Sequence, residues 1–380
     1  MTPKDVFTNK SFCPIPWAGI MVNHEGRVKN CIRSVHSMPI GDLKNDRIED
    51  IVLGAENVKR QEQILNKLPV SSCQTCYDIE NNKKGLDIIS DRIFYIRELK
   101  HNRVDFYQKG NFNLQTIDIR WSNVCNFACV YCSSDFSSKW ADELKIKQET
   151  ISSEQKNNFK NYILENAQKL KHVYLAGGEP LLMKENLELL EVLDKNVNLR
   201  INTNLSKTDT RIFEKICEFK NVHWTVSIET MEDEFEYIRY GSTWQDFLEN
   251  LDVVKKLNHK ISFNMLYFAL NYQSIFRCID FLKSLGNHNN SFIAGALLTP
   301  FNLNIRHLPD SVLNSCKNIL QERINNKPGF LLEDSYRNML SYINQPIEKN
   351  LSSVKKALQE LDQRRNLNSE NIFKDLYNLF

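Results

Sequence analysis

TIDIRWSNVCNFACVYC, residues 116–132, sets a short β-rich run directly before three cysteines, Cys125, Cys129 and Cys132, spaced C-x3-C-x2-C. The run 116–121 reads as a strand. The cysteines follow its C-terminal end, the position at which α/β barrels carry their chemistry. Three thiols on one short loop can converge on one metal centre. A cubane iron–sulfur cluster normally takes four thiolates, so three local ligands would leave one iron open. Membership of a zinc site is the alternative, but zinc wants four closed ligands and prefers a C-x2-C knuckle.

Outward from this stretch the alternation repeats. HVYLAG (172–177), NLRINTN (198–204), VHWTVSIE (222–229), ISFNMLYF (261–268) and SFIAGALL (291–298) are further strands, separated by amphipathic segments such as 186–193, 208–219 and 247–257. Six β/α units in series predict a parallel sheet lined by helices, because each parallel crossover needs a return of helix length. The expected class is α/β: a partial (β/α)6 TIM-type barrel with an N-terminal cysteine-rich module and C-terminal helices, an open sheet being the alternative. Beyond Pro309 the pattern is helical, as in Leu351, Val354, Leu358 and Leu361. The expected division is 1–80 cysteine-rich module, 81–115 helical connector, 116–300 barrel and 301–380 helical region.

Two-residue alternation gives the strands a polar face. It nominates Arg120, Arg200, Asn202, Asn204, Thr225 and Asn264 as lumen-facing contacts for a substrate. Arg120 and Arg200 suit a carboxylate or phosphate, or else an internal ion pair with Asp118 or Glu229.

A net charge of +2 gives no global pull toward nucleic acid or acidic membranes. No apolar run approaches membrane-spanning length, and residues 1–11 lack the apolar stretch of a signal peptide, so a cytoplasmic setting is expected. In a reducing compartment ten cysteines point to metal rather than disulfides. Cys217, Cys278 and Cys316 each stand alone on a helical apolar stripe and read as small core residues.

C-x3-C-x-aromatic-C after the first strand, followed by Gly177, Gly178, Glu179 and Pro180 after the second, resembles the signature of the radical S-adenosylmethionine (SAM) superfamily. The resemblance implies a 4Fe–4S cluster on Cys125, Cys129 and Cys132 whose open iron binds SAM, and a reductive cleavage that yields a 5′-deoxyadenosyl radical for hydrogen abstraction. It implies that Tyr131 lies near the adenine. Backbone at Gly177 and Gly178 would meet the methionyl amine, with Glu179 supporting that end, and Ser227 would contact SAM. Glu229 stands where the family more often has Asp. NTNL at 202–205 resembles the family's TTNG strand end, bringing in Asn202 and Asn204, with Leu205 in the glycine's place.

FCPIPW (12–17), HEGRVKNC (24–31) and SSCQTCYDIE (71–80) set Cys13 ahead of G-x4-C at Gly26 and Cys31, then C-x2-C at Cys73 and Cys76. This resembles the SPASM or twitch cluster modules of radical SAM enzymes, placed here before the barrel rather than after it. The resemblance implies a second 4Fe–4S cluster on all four cysteines, acting as an electron relay. A four-cysteine zinc ribbon fits the same spacing. Glu25 and Gly26 predict a hairpin turn, and Trp17 reads as packing around the site. A reductant such as flavodoxin or ferredoxin is the implied partner. The implied substrate is a peptide or protein side chain, or alternatively a small molecule such as a sugar or nucleotide. A non-catalytic iron–sulfur or zinc protein is the reading from a different class.

Overall fold

In a computed structural model, residues 8–34, 39–81, 90–99, 106–148, 150–286 and 290–380 are described. The strands are β1 Gly19–Val22, β2 Arg27–Lys29, β3 Gly41–Asp42, β4 Thr116–Ile119, β5 His172–Leu175, β6 Asn198–Thr203, β7 Asn221–Ser227, β8 Lys260–Tyr267 and β9 Asn290–Ala296. The last six coincide with the six runs read from sequence. The chain forms two compact units: residues 1–124, 147–202 and 209–223, and residues 125–146, 203–208 and 224–380.

In the first unit β4 pairs in parallel with β5, and β5 with β6. Residues 19–29 form the expected hairpin, with Met21 opposite Lys29, and Gly26 turns the chain at φ +89°. β1 then pairs in parallel with β4, Gly19 opposite Thr116, so the cysteine-rich segment extends the same sheet. No local pattern in the sequence announces this pairing. Both strands are buried throughout, as strands covered on both faces must be. Trp17 is fully buried, packs edge-on against Tyr107 and donates its indole N–H to Gln108 O at 2.7 Å. It is a packing residue. The helix Asp91–Glu98 falls within the expected connector; residues 82–89 and 100–105 of that connector lie outside the described residues.

In the second unit β8 and β9 pair in parallel from Ile261–Asn290 to Tyr267–Ala296. The helix Ser274–Ser284 turns Ile275, Cys278, Ile279 and Leu282 inward, all fully buried, at the spacing that makes one helical face. The C-terminal region is helical, as expected: Asp310–Asn325 packs on Phe330–Ile343, which covers β9, and Leu351–Arg365 follows. Cys278 and Cys316 are core residues, whereas Cys217 is only half-buried, because it ends its helix, where the apolar face runs out.

Among the described residues β3 and β9 each have a strand neighbour on one side only, so no barrel closes, in keeping with a partial barrel. No described helix is long and apolar enough to cross a membrane. The two-residue alternation holds along β6 but fails in β7, where Thr225 is buried together with Trp224 and Val226.

Candidate iron–sulfur centres

The loop bearing Cys125, Cys129 and Cys132 has little regular structure, so its backbone groups must find partners elsewhere. Ala128 N–H donates to Tyr240 O at 2.9 Å and Val130 N–H to Ile238 O at 2.8 Å. Trp140 Nε1 donates to Cys129 O at 2.8 Å, Ser137 Oγ to Phe127 O at 2.6 Å, and Arg365 Nη2 to Ala128 O at 2.9 Å. Ser137 also caps the helix Ser138–Leu144, accepting from Trp140 N–H. Gly241, at φ +111°, lets the turn after the helix Glu232–Ile238 pass: a Cβ there would sit 2.7 Å from Asn126 O. The loop is thus held in shape by its surroundings.

Cys129 is buried, and Cys125 and Cys132 are half-buried. Burial pushes the Cys132 thiol up to about 12, and the neighbouring Cys129 and Cys125 push the same way. Burial likewise raises Cys129, which Arg239 opposes. Burial disfavours the thiolates of Cys129 and Cys132 unless a cationic partner offsets it, and the irons of a cluster would be such a partner. Asn204 Nδ2 lies 3.8 Å from Cys125 Sγ and 3.0 Å from Asn126 Oδ1, so the expected Asn204 does reach the cysteine loop. Leu205 adopts φ +57°, the left-handed conformation a glycine would take there.

Glu229 is buried and forms an ion pair with Arg239 at 3.0 Å, each side chain 2% exposed. The guanidinium also donates to the Tyr131 hydroxyl, which in turn bonds Glu229. Burial raises the Glu229 carboxyl, and Arg239 counteracts it. Arg239 went unnoticed in the sequence; the signal was an arginine inside the apolar run FEYIRY. Ser227 is half-buried at the end of β7, and Asn264, half-buried on β8, accepts Ile228 N–H at 3.1 Å through its carbonyl.

In the first unit, Gly177 and Gly178 run against the segment that leads into Cys125. Glu179 N–H donates to Val124 O at 2.7 Å and Gly178 N–H to Ser122 O at 3.4 Å. A Cβ on Gly178 would lie 2.1 Å from Val124 O, and Gly177 stands at φ +117°. Only glycine fits. The buried Glu179 carboxylate accepts Leu181 N–H at 3.1 Å and caps the turn that follows. Arg120 pairs with Asp118 at 3.2 Å, so the internal ion pair is the arrangement it adopts. Burial raises the Asp118 carboxyl, opposed by Arg120 and Arg200. Arg200 lies over the Tyr174 ring at 5.3 Å, and Asn202 is half-buried on β6.

The four N-terminal cysteines also converge. Cys13 responds to Cys73, Cys31 and Cys76 after burial itself. Burial lifts Cys31 to about 12 and Cys76 to about 11. Backbone N–H groups of Ile15, Arg33 and Arg92 face the sulfurs of Cys13, Cys31 and Cys76. The buried Ser72 hydroxyl, with no oxygen or nitrogen partner, lies beside Cys73. Arg33 pairs with Asp91, Arg92 with Glu80, and Arg60 donates to Asn30 Oδ1 at 2.9 Å. Donors aimed at sulfur and nearby cations suit a negatively charged thiolate cluster. Among the described residues no three His, Cys, Asp or Glu side chains gather tightly enough to chelate one ion; a cubane receives each thiolate on a different iron.

These features define an α/β protein built around two convergent thiol groups. Residues 119–282 match the model of the radical SAM superfamily, and residues 13–77 match that of the SPASM iron–sulfur cluster-binding domain. The SPASM match lies ahead of the radical SAM match along the chain. Over 134 residues it is 34% identical to 7-carboxy-7-deazaguanine synthase of Clostridium acetobutylicum, covering 34% of this chain and 54% of that enzyme. The chain thus spans about half the length of that curated relative. Solved structures similar to parts of the chain include Streptococcus suis SuiB bound to S-adenosylmethionine, at 17% identity and a TM-score of 0.38, covering 57% of this chain and 46% of that one. SuiB bound to the precursor peptide SuiA is 16% identical with a TM-score of 0.41, covering 70% and 64%.

Proposed function

We propose that this chain is an enzyme that cleaves SAM reductively and abstracts hydrogen from a substrate. The observation that carries this reading is the cysteine loop: Cys129 buried, Cys125 and Cys132 half-buried, on a backbone already satisfied around them. A 4Fe–4S cluster held by Cys125, Cys129 and Cys132 would, when reduced, supply the electron for cleavage of SAM to methionine and a 5′-deoxyadenosyl radical. In this reading Cys125, Cys129 and Cys132 hold the cluster, and Asn204 orients the Cys125 arm. Tyr131, Gly177, Gly178, Glu179, Ser227 and Asn202 bind SAM. Arg200 and Asn264 remain substrate contacts, while Arg120 is engaged by Asp118 and sets the polarity of that face. Cys13, Cys31, Cys73 and Cys76 hold a second 4Fe–4S cluster that relays electrons, with a flavodoxin- or ferredoxin-type reductant as donor.

The substrate we favour is a peptide or protein side chain, since the auxiliary module is common among peptide-maturing members of the superfamily. A small-molecule substrate is the second reading, supported by the 34% identity over 134 residues to 7-carboxy-7-deazaguanine synthase. Anaerobically reconstituted, reduced protein should release 5′-deoxyadenosine from SAM, and Cys129→Ala should not. Absence of the nucleoside from wild type with full iron refutes the reading. Cys73→Ala should lose iron equivalent to one cluster; loss of zinc without iron refutes the second cluster.

A further inference from the structure

Cys129 and Arg239 stand opposite each other on two segments that pair through their backbones. Val130 N–H to Ile238 O and Ala128 N–H to Tyr240 O bracket Cys129 on one segment and Arg239 on the other. Arg239 directly follows the helix Glu232–Ile238, and these two bonds hold it against the cysteine loop. Arg239 is fully buried, lies 5.6 Å over the Phe127 ring, and holds Glu229 and the Tyr131 hydroxyl with its Nη1. Its Nε is buried with no partner. An arginine cannot shed its charge in a protein, so a permanent cation is bonded to Tyr131, two residues from the middle cysteine.

Resting on the reading that the three cysteines carry a cluster, we propose that Arg239 is a positioning residue for it. It fixes the Cys129 arm through Tyr131 and offsets the negative charge that the thiolates bring, while Glu229 holds the guanidinium in place and limits that offset. Net charge around a cluster sets its reduction potential, and reduction adds one negative charge. Removing the cation therefore makes reduction harder, and removing the Glu229 charge makes it easier. The two variants move in opposite directions, which a merely structural role would not produce.

The test is an EPR-monitored redox titration of full-length, anaerobically reconstituted protein, following the signal that changes on adding SAM. Arg239→Met should lower the reduction equilibrium constant about tenfold, 59 mV for a one-electron couple. Arg239→Lys should stay near wild type, and Glu229→Gln should shift upward. If Arg239→Met and Glu229→Gln retain wild-type iron and melting temperature yet titrate at the wild-type potential, the proposal is overturned. Should Arg239→Met fail to fold, an unshifted Glu229→Gln overturns it alone. If wild type itself shows no SAM-responsive iron–sulfur signal, the fault lies in the underlying cluster reading rather than in the role of Arg239.

Discussion

Arg365 Nη2 and the carbonyl oxygen of Ala128 lie 2.9 Å apart, a bond between residues 237 positions apart in the chain. The same guanidinium pairs with Glu143 at 3.1 Å and stacks on Trp140 and Tyr240 at 4.6 and 4.4 Å. Trp140 in turn donates to Cys129 O. The helix Leu351–Arg365 is thereby part of the scaffold of the cysteine loop.

Arg365→Ala leaves Glu143 with only the more exposed Arg364, at 3.2 Å, and Ala128 O without this donor. Breaking a buried pair from one side costs about 3–5 kcal/mol. We expect a fall in unfolding free energy of that order by urea titration, with less iron retained per chain after reconstitution. Arg365→Lys should recover part of the stability but not the forked geometry. Wild-type iron retention in Arg365→Ala would show that the loop does not depend on this helix.

Gly178→Ala and Gly286→Ala separate a steric requirement from a backbone preference. A Cβ at Gly178 would meet Val124 O at 2.1 Å, whereas Gly286, at φ +60°, has nothing within 4 Å. The Gly286 variant incurs only left-handed strain, about 1–2 kcal/mol. Gly178→Ala must push apart backbone on both sides and should cost at least about 3 kcal/mol, beyond ordinary overpacking. It should also reduce 5′-deoxyadenosine formation, while Gly286→Ala keeps wild-type turnover.

The six core strands and the cysteine loop were legible because both are local patterns: short β-rich runs between amphipathic segments, and ligands packed into eight residues. Asn204 was legible through its strand-end motif, and the structure brings it to Cys125. What local pattern could not reveal were partnerships across long sequence separations. The pairing of β1 with β4 spans about a hundred residues, and the clamps from Arg239 and Arg365 depend on which faces meet after folding. Arg120 illustrates the reverse case: its polar face was legible, but only the structure selects Asp118 as its partner.

His172 gives a pH dependence with a definite sign. It starts β5 edge-on to Phe94 and Tyr95, and burial lowers its pKa from the ordinary 6.5, with Glu98 opposing. The unfolded chain therefore binds this proton more readily than the folded one, so stability rises with pH through that window. The contribution is complete above pH 6.5 and is lost progressively as pH falls from 6.5 toward the lower folded value. Urea midpoints measured from pH 7.5 to 5 should fall less steeply for His172→Gln than for wild type. Parallel curves would show that His172 does not carry the effect.

Leu205 sets two penalties against each other. Its φ of +57° is the conformation that glycine adopts without cost, yet its side chain is fully buried. Leu205→Gly relieves left-handed strain of about 1–2 kcal/mol. It also removes a buried leucine; truncating one to alanine already costs about 2–5 kcal/mol. Burial outweighs strain, so the variant should be less stable by about 1–3 kcal/mol in urea titration. Because Asn250 Nδ2 donates to Leu205 O at 3.1 Å and Ser206 N–H to Asn204 Oδ1 at 2.9 Å, a loosened residue 205 should also free Asn204 from the cysteine loop. The expected signature is faster iron loss to a chelator in Leu205→Gly than in an equally destabilised variant remote from the loop, such as Leu320→Ala. A more stable Leu205→Gly would mean that strain, not burial, governs this turn.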